Sequence, residues 1–312
     1  MNTHFITAIF TLFIFFTKIN AQQDAQYTQY VYNTIAINPA YAGSRETLNV
    51  TALYRAQWVG LDGGPTTQTL NINAPAGNRI GLGLSIVNDE IGNGTIQETF
   101  IDGVFSYTIP LSAEQRLSFG LKASANLLNL DFSKLIGFTE EQSLNSITNI
   151  DNKVSPNFGG GIYYSSEKFY LGLSVPNFLQ TEHFDNSSSS SSFLGQEERT
   201  YYVISGYVFD LNASLKFKPA ILVKGTTGSP LQTDISTSFL FNNKLSLGAA
   251  YRWGAAFSGL VGFQLSNQIQ LGLAYDREIT ALGDTSFNDG SFEVLLRYEI
   301  FNSNNILNPR FF

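Results

Sequence analysis

Between Arg116 and Leu127 every odd position is apolar: Leu117, Phe119, Leu121, Ala123, Ala125 and Leu127. The even positions Ser118, Gly120, Lys122, Ser124 and Asn126 are small or polar. A period of two sends these sets to opposite faces of one strand. Twelve residues at about 3.3 Å each reach roughly 40 Å. That is long for a soluble strand and suits a tilted strand crossing a bilayer.

The alternation recurs along the chain, through Leu48–Trp58, Gln68–Ala74, Ile80–Ile86, Ile96–Ile109, Val154–Tyr164 and Lys168–Val175. It continues through Thr200–Phe209, Leu215–Val223, Gln232–Phe241, Lys244–Trp253, Ala256–Leu265, Ile269–Tyr275 and Phe292–Ile300. With the opening stretch this makes about fourteen strands, an even number as single-chain outer-membrane barrels have. Connections after even-numbered strands are short, such as Pro75–Asn78, Ser165–Glu167 and Asn242-Asn243. The longest follow odd-numbered strands: Leu128–Lys153, Pro176–Arg199 and Asp276–Ser291. Barrels of the outer membrane sort short turns to the periplasm and long loops outside, whereas a soluble sandwich has no reason to. The fold expected is an all-β transmembrane antiparallel β-barrel.

Composition agrees without deciding. Charged residues are 14% of the 312, against about a quarter in ordinary soluble domains. A net charge of −7 lacks the basic footprint of a nucleic-acid binder. The absence of cysteine excludes disulfides and thiolate metal sites. Phe5–Phe16 is an apolar run too short to span a membrane but right for a signal peptide, with Ala21 at the expected cleavage point. The expected organisation is therefore a signal peptide at 1–21, an N-terminal periplasmic or lumenal segment at 22–46, a barrel at 47–300 and a periplasmic tail at 301–312. Both termini are then expected on the periplasmic side.

Residues 22–45 do not alternate. Asn38-Pro39 and Ala42-Gly43 are turn signals. Two readings stay open: an extended lead-in to the first strand, or a segment folded into the barrel mouth on Tyr27, Tyr30, Tyr32 and Tyr41. Strand parity points Arg55, Asp102, Lys122, Asp234, Arg252, Glu293 and Arg297 inward, a lumen of mixed sign that is either water-filled or cross-linked by ion pairs. Gly81, Gly83, Gly159, Gly160, Gly161 and Gly172 read as lumen-side positions where the wall bends or a plug comes close. Trp58, Trp253 and Tyr275 are expected outward, in an aromatic girdle.

Catalytic material is scarce. His183, beside Glu182 and Asp185, is the only histidine after the signal region, and no matching nucleophile stands near it in the sequence. It reads as a solvated loop residue. The loop carboxylates Asp89, Glu90, Asp284 and Asp289 show no twelve-residue calcium loop. No catalytic residue, cofactor or metal is expected.

Several blocks, in order, resemble the PorP/SprF family of outer-membrane proteins associated with the Bacteroidetes type IX secretion system. The most specific is Gln26–Ser44 (QYTQYVYNTIAINPAYAGS), followed by Tyr54–Pro65 (YRAQWVGLDGGP) and Val87–Gly92 (VNDEIG). Pro156–Asn177, Gly206-Tyr207, Lys218-Pro219, Val223-Lys224 and the Pro309–Phe312 ending also match. Thr34 departs from the family, which more often has Pro after Asn. The resemblance implies a non-enzymatic protein of secretion or gliding that binds or anchors a secreted cell-surface protein carrying a type-B C-terminal sorting domain. It implies periplasmic lipoprotein and ring components as further partners, beside outer-membrane lipid. Within its leading block, Tyr30, Asn33, Asn38, Pro39, Tyr41 and Gly43 are the candidate partner-binding or lumenal-plug residues. The barrel physics without the family implies a passive diffusion porin instead.

Overall fold

The structure is a computed structural model describing residues 25–134, 149–180, 182–184, 193–196, 198–285 and 287–300. Fourteen strands among these residues form the barrel: β1 Leu48–Ala56, β2 Thr66–Pro75, β3 Ile80–Ile91, β4 Ile96–Pro110, β5 Arg116–Leu130, β6 Ile150–Ser165 and β7 Phe169–Val175. β8 is Thr200–Tyr207, resumed at Phe209–Asn212, and β9–β14 are Leu215–Thr226, Gln232–Phe241, Leu245–Arg252, Ala256–Gln264, Ile269–Glu278 and Ser291–Ile300. Each strand pairs antiparallel with its sequence neighbour, and β1 pairs with β14 from Leu48↔Ile300 to Ala56↔Phe292. This last ladder closes the wall, so no edge strand is left to lipid.

Alternation sets the two faces. On β14, Phe292, Val294, Leu296, Tyr298 and Ile300 are exposed, while Glu293, Leu295, Arg297 and Glu299 are buried. On β5 the outward row includes Phe119 and Leu121, the latter 65% exposed. A continuous outward row of such side chains around the wall is the surface that lipid, not water, covers. Leu117–Leu127 gives an apolar band about 28 Å tall at ordinary barrel tilt, close to the thickness such barrels present. Hairpins follow local chemistry: Asn242 and Asn243 both take positive φ (49° and 55°), the conformation a two-residue primed turn requires. All seven inward charges expected from parity are buried.

Four local expectations are corrected. The insertion after β5 is shorter than Leu128–Lys153, because Leu128 and Leu130 continue β5 and β6 begins at Ile150. Those three residues pack together against Ile96, and this apolar contact carries the strands past the lipid band. Likewise β13 runs on to Glu278, so Asp276 is a wall residue rather than a loop residue. Trp58 is not on the strand: β1 ends at Ala56, Trp58 has φ 54°, and its indole N–H donates to Glu278. Gly160 faces outward near Phe178, since three consecutive residues of a strand cannot share one face. Trp253 (70% exposed) and Tyr275 do face outward.

Candidate functional site in the lumen

The lumen is occupied by the chain's own N-terminal segment. From Ala25 to Ser44 the sequence carries no charged residue, so its backbone enters the barrel without bringing charges that need partners. A one-turn helix, α1 (Thr34–Ile37), and a 3₁₀ turn (Pro39–Tyr41) give it shape. The segment begins in the long-loop half, where Arg252, the last residue of β11, donates to Gln26 at 2.9 Å. It reaches the short-turn end at Arg45, whose guanidinium forms an ion pair with Glu299 and whose Nη2 donates at 3.0 Å. Ile300 stands at that same short-turn end, opposite Leu48, whereas Ala25 lies in the other half of the lumen. The terminal residues themselves fall outside the described part.

One cluster fastens the segment near its start. The backbone N–H groups of Thr28 and Gln29 donate to the two carboxylate oxygens of Glu293, at 2.9 and 2.8 Å. Thr28 Oγ1 donates to Asp276 Oδ2 at 2.6 Å and accepts from Arg55 Nη1 at 2.9 Å. Arg55 Nη1 in turn lies 2.8 Å from Asp276 and 3.1 Å from Glu293. All of these groups are buried, so each charge is answered by an opposite charge or a directed hydrogen bond. β1 and β14 are hydrogen-bonded at the closing seam, which is why Arg55 faces Glu293 across 238 residues.

Each of the six candidate residues lies within this segment. Tyr30 is 1% exposed and its hydroxyl meets Ser236 Oγ at 3.1 Å. Asn33 accepts a hydrogen bond from Asn71 of β2. Asn38 caps the 3₁₀ turn by accepting from the Ala40 N–H at 2.9 Å, with Pro39 in the first position of the turn. Its amide also donates to the carbonyls of Ile162 (3.1 Å) and Leu173 (3.4 Å), tying the turn to β6 and β7. Tyr41 sits edge-on to Tyr163, ring centres 5.4 Å apart, and Tyr163 stacks on Tyr170. Gly43, at φ 70°, packs on the Cα of Gly81 and donates to Asn73 Oδ1 at 3.3 Å.

The wall makes room with glycine. A Cβ on Gly120 would overlap the backbone of Pro39 and Ala40, and one on Gly81 would overlap the Ala42 carbonyl. Gly161 and Gly172 stand in the same relation to the Asn38 side chain and Gly83 to Ile35, whereas Gly159 meets Pro176 of the wall's own loop. Tyr27, Tyr30, Tyr32 and Tyr41 are all buried inside the barrel. Burial pushes the Tyr27 and Tyr30 phenols up, so both are neutral hydrogen-bonding groups at physiological pH. Farther down, Tyr32 lies under the Arg297 guanidinium at 5.4 Å and the Lys218 amino group at 5.9 Å from the ring centre.

Sequence reasoning missed Thr28, Gln29, Arg45, Asp276 and Glu299. Arg45 carries a signal that was there to read: it is the first charge after Asp24. Thr28 and Gln29 carry none, because they act through backbone N–H groups that every residue has. The side chain of His183 lies outside the described residues, and its backbone belongs to a short hairpin, 182–184 against 193–196. Nothing in the described lumen assembles a nucleophile, base and oxyanion site; the arrangement is one of structural ion pairs and directed hydrogen bonds.

Comparison with solved structures places this architecture among known barrels. The CymD monoaromatic hydrocarbon channel superposes with a TM-score of 0.50 at 13% identity, over 92% of this chain and 96% of that one. The Ralstonia pickettii toluene transporter TbuX gives 0.50 at 8% identity, over 86% and 93%. At such identities the likeness shows the outer-membrane barrel fold alone. No match is found among curated, characterised protein sequences. The sequence blocks and the barrel meet in one family, which is one of secretion-system membrane barrels and not of enzymes. With residues 19–298 matching the model of the type IX secretion system membrane protein PorP/SprF, the chain belongs to that family.

Proposed function

We propose that this barrel is a non-enzymatic anchor of the type IX secretion or gliding machinery. It holds a secreted surface protein with a type-B C-terminal sorting domain at the outer membrane, while its lumen is kept closed by residues 25–47. The observation that carries this reading is the fastening of Thr28 and Gln29 to Glu293 and Arg55, which fills the lumen with an ordered segment where a diffusion pore has water. Family membership supports contact with other secretion components. On this reading 1–21 is a signal peptide, the long loops face outward and the 301–312 tail is periplasmic, available to lipoprotein or ring components. Ala25 then lies in the outer half of the lumen, so the periplasmic placement is kept for the C-terminal tail alone. The six residues Tyr30, Asn33, Asn38, Pro39, Tyr41 and Gly43 act as plug residues rather than as a surface for the partner, since all but the Gly43 backbone are buried.

The competing reading is a passive diffusion porin. Affinity capture of the tagged protein from its native outer membrane, with mass spectrometry and planar-bilayer recording of the same preparation, separates the two. The anchor reading expects one large secreted surface protein, periplasmic components and no steady conductance. A large steady conductance together with recovery of the barrel alone would sink it in favour of the porin.

A further inference from the structure

The outer surface of the wall is not a smooth apolar band. Across the closing seam, Leu296 of β14, Ala52 of β1 and Leu70 of β2 stand directly opposite one another. Residues opposite each other in an antiparallel pair share a face, so here an exposed methyl group lies between two exposed leucines. The dip this leaves is a groove of about 420 Å³, bordered also by the Tyr54 ring.

The groove changes character toward the long-loop side. Two residues farther along, the outward position changes from Leu70 to Gln68 on β2 and from Ile86 to Asn88 on β3, and Gln68 pairs with Asn88. Both amides line the groove. Asn88 Oδ1 accepts from Thr99 at 2.9 Å, which leaves its NH₂ group as the donating edge. Gln68 is exposed, and its amide has no partner among the described residues. Polar residues facing out mark the end of the apolar band, so these donors stand at its upper edge.

We infer that the groove seats one acyl chain of a lipid from the leaflet on the long-loop side, with the ester or amide carbonyl of that chain at Gln68 and Asn88. The groove is continuous with the band that lipid covers, so a lipid tail reaches it without leaving the bilayer. From the surface inward, a bilayer lipid presents its polar linkage first and its chain second. The groove offers amide donors and then apolar side chains in that same order. A linkage carbonyl is an acceptor that matches two NH₂ donors, and the chain lies on Ala52 between the leucines. Because the groove runs from β14 to β2, its occupant covers the closing seam. The inference needs only the barrel fold and stands apart from the anchor reading.

The mature full-length barrel, stripped of lipid in detergent, is titrated with dipalmitoyl phosphatidylcholine or its dihexadecyl ether analogue, and adducts are counted by native mass spectrometry. The analogue has the same headgroup and chain length but no carbonyl. A distinct first adduct is expected with the diester, at roughly tenfold lower lipid concentration than with the diether. Gln68→Leu should remove most of that difference and keep the adduct. Ala52→Leu, which fills the groove, should weaken the first adduct with both lipids by about the same factor. Both positions face outward, and circular dichroism checks that the variants fold. Equal binding of the two lipids by the wild type overturns the carbonyl contact, and with it the site, without any variant. An unchanged first adduct in folded Ala52→Leu overturns the groove as the seat. So does a continuous series of adducts with no first one standing apart, the mark of a general lipid shell. A wild-type dimer that Ala52→Leu abolishes assigns the groove to a second copy of the chain instead.

Discussion

The two sides of the lumen are built from similar strands and do different things. On the side of β1, β13 and β14, Arg55, Asp276 and Glu293 are paired with one another and bonded by Thr28 and Gln29. On the side of β3 and β4, Asp89, Glu98 and Phe100 line open space. Buried charge on the first side fastens the chain to itself, because removing either partner would strand the other in a dry site. Asp89 and Glu98 on the second side are only half-buried beside a cavity, so a charge there costs less to leave without the plug than one at Arg55 or Glu293. A barrel interior of mixed sign is therefore neither simply a pore lining nor simply a core; what each charge does depends on whether the plug reaches it.

The contrast can be broken most directly at Arg55. Arg55→Ala leaves Asp276 and Glu293 close together and uncompensated, and should cost about 3–5 kcal/mol. Urea unfolding of the protein in lipid vesicles checks this, and a loss under about 1 kcal/mol would mean that the cluster is hydrated rather than dry. A smaller effect is expected from the fit of the plug to the wall. Gly120→Ala pushes a methyl into the backbone at Ala40 and should destabilise by about 1–3 kcal/mol. Gly103→Ala is the matched control on the adjacent strand, where an added Cβ meets nothing closer than 3.9 Å. Equal effects of the two would show that strand propensity, not the plug, sets the requirement for glycine.

The tyrosines give a pH dependence of known sign. The Tyr27 and Tyr30 phenols are raised by burial above their ordinary value of 10.0, so the folded state keeps protons that the unfolded state releases. Their contribution is fully present below pH 10.0 and declines above it, by up to about 1.4 kcal/mol per pH unit for each phenol. Alkaline unfolding of a Tyr27→Phe/Tyr30→Phe variant should show a shallower slope over that window; an unchanged slope would place both hydroxyls in water. The smallest effect belongs to the open side. Asp89→Asn keeps an acceptor for Thr67 and removes a charge that folding does not need, so stability should change by less than about 0.5 kcal/mol. A loss comparable to that at Arg55 would erase the distinction between the two sides.

Much of the barrel was legible in the chain. Period-two alternation decides which side chains meet lipid, and Leu117–Leu127 or Phe292–Ile300 has only one register that hides its polar row. Even strand number and the sorting of short turns from long loops follow from antiparallel connectivity alone. The inward placement of Arg55, Asp102, Lys122, Asp234, Arg252, Glu293 and Arg297 could be read because parity is a local property. The ends of strands were less legible: Leu128, Leu130 and Ile150 extend β5 and β6 because they touch one another, and contacts across an insertion leave no trace in either segment by itself.

The candidate segment shows the same division. Asn38-Pro39 and Ala42-Gly43 declare turns through their own backbone preferences, and a stretch with no charge from Ala25 to Ser44 permits burial. Neither property says what covers the segment. That is decided by closure of the wall, which brings β14 against β1 and sets Glu293 beside Arg55 to receive the N–H groups of Thr28 and Gln29. The sequence by itself determined a closed membrane barrel, its two faces and a turn-rich uncharged leader. Only the tertiary structure decided that the leader lies inside, which wall it is fastened to and where space remains, because these depend on pairings between residues distant in the chain, such as Thr28 with Glu293, 265 positions apart.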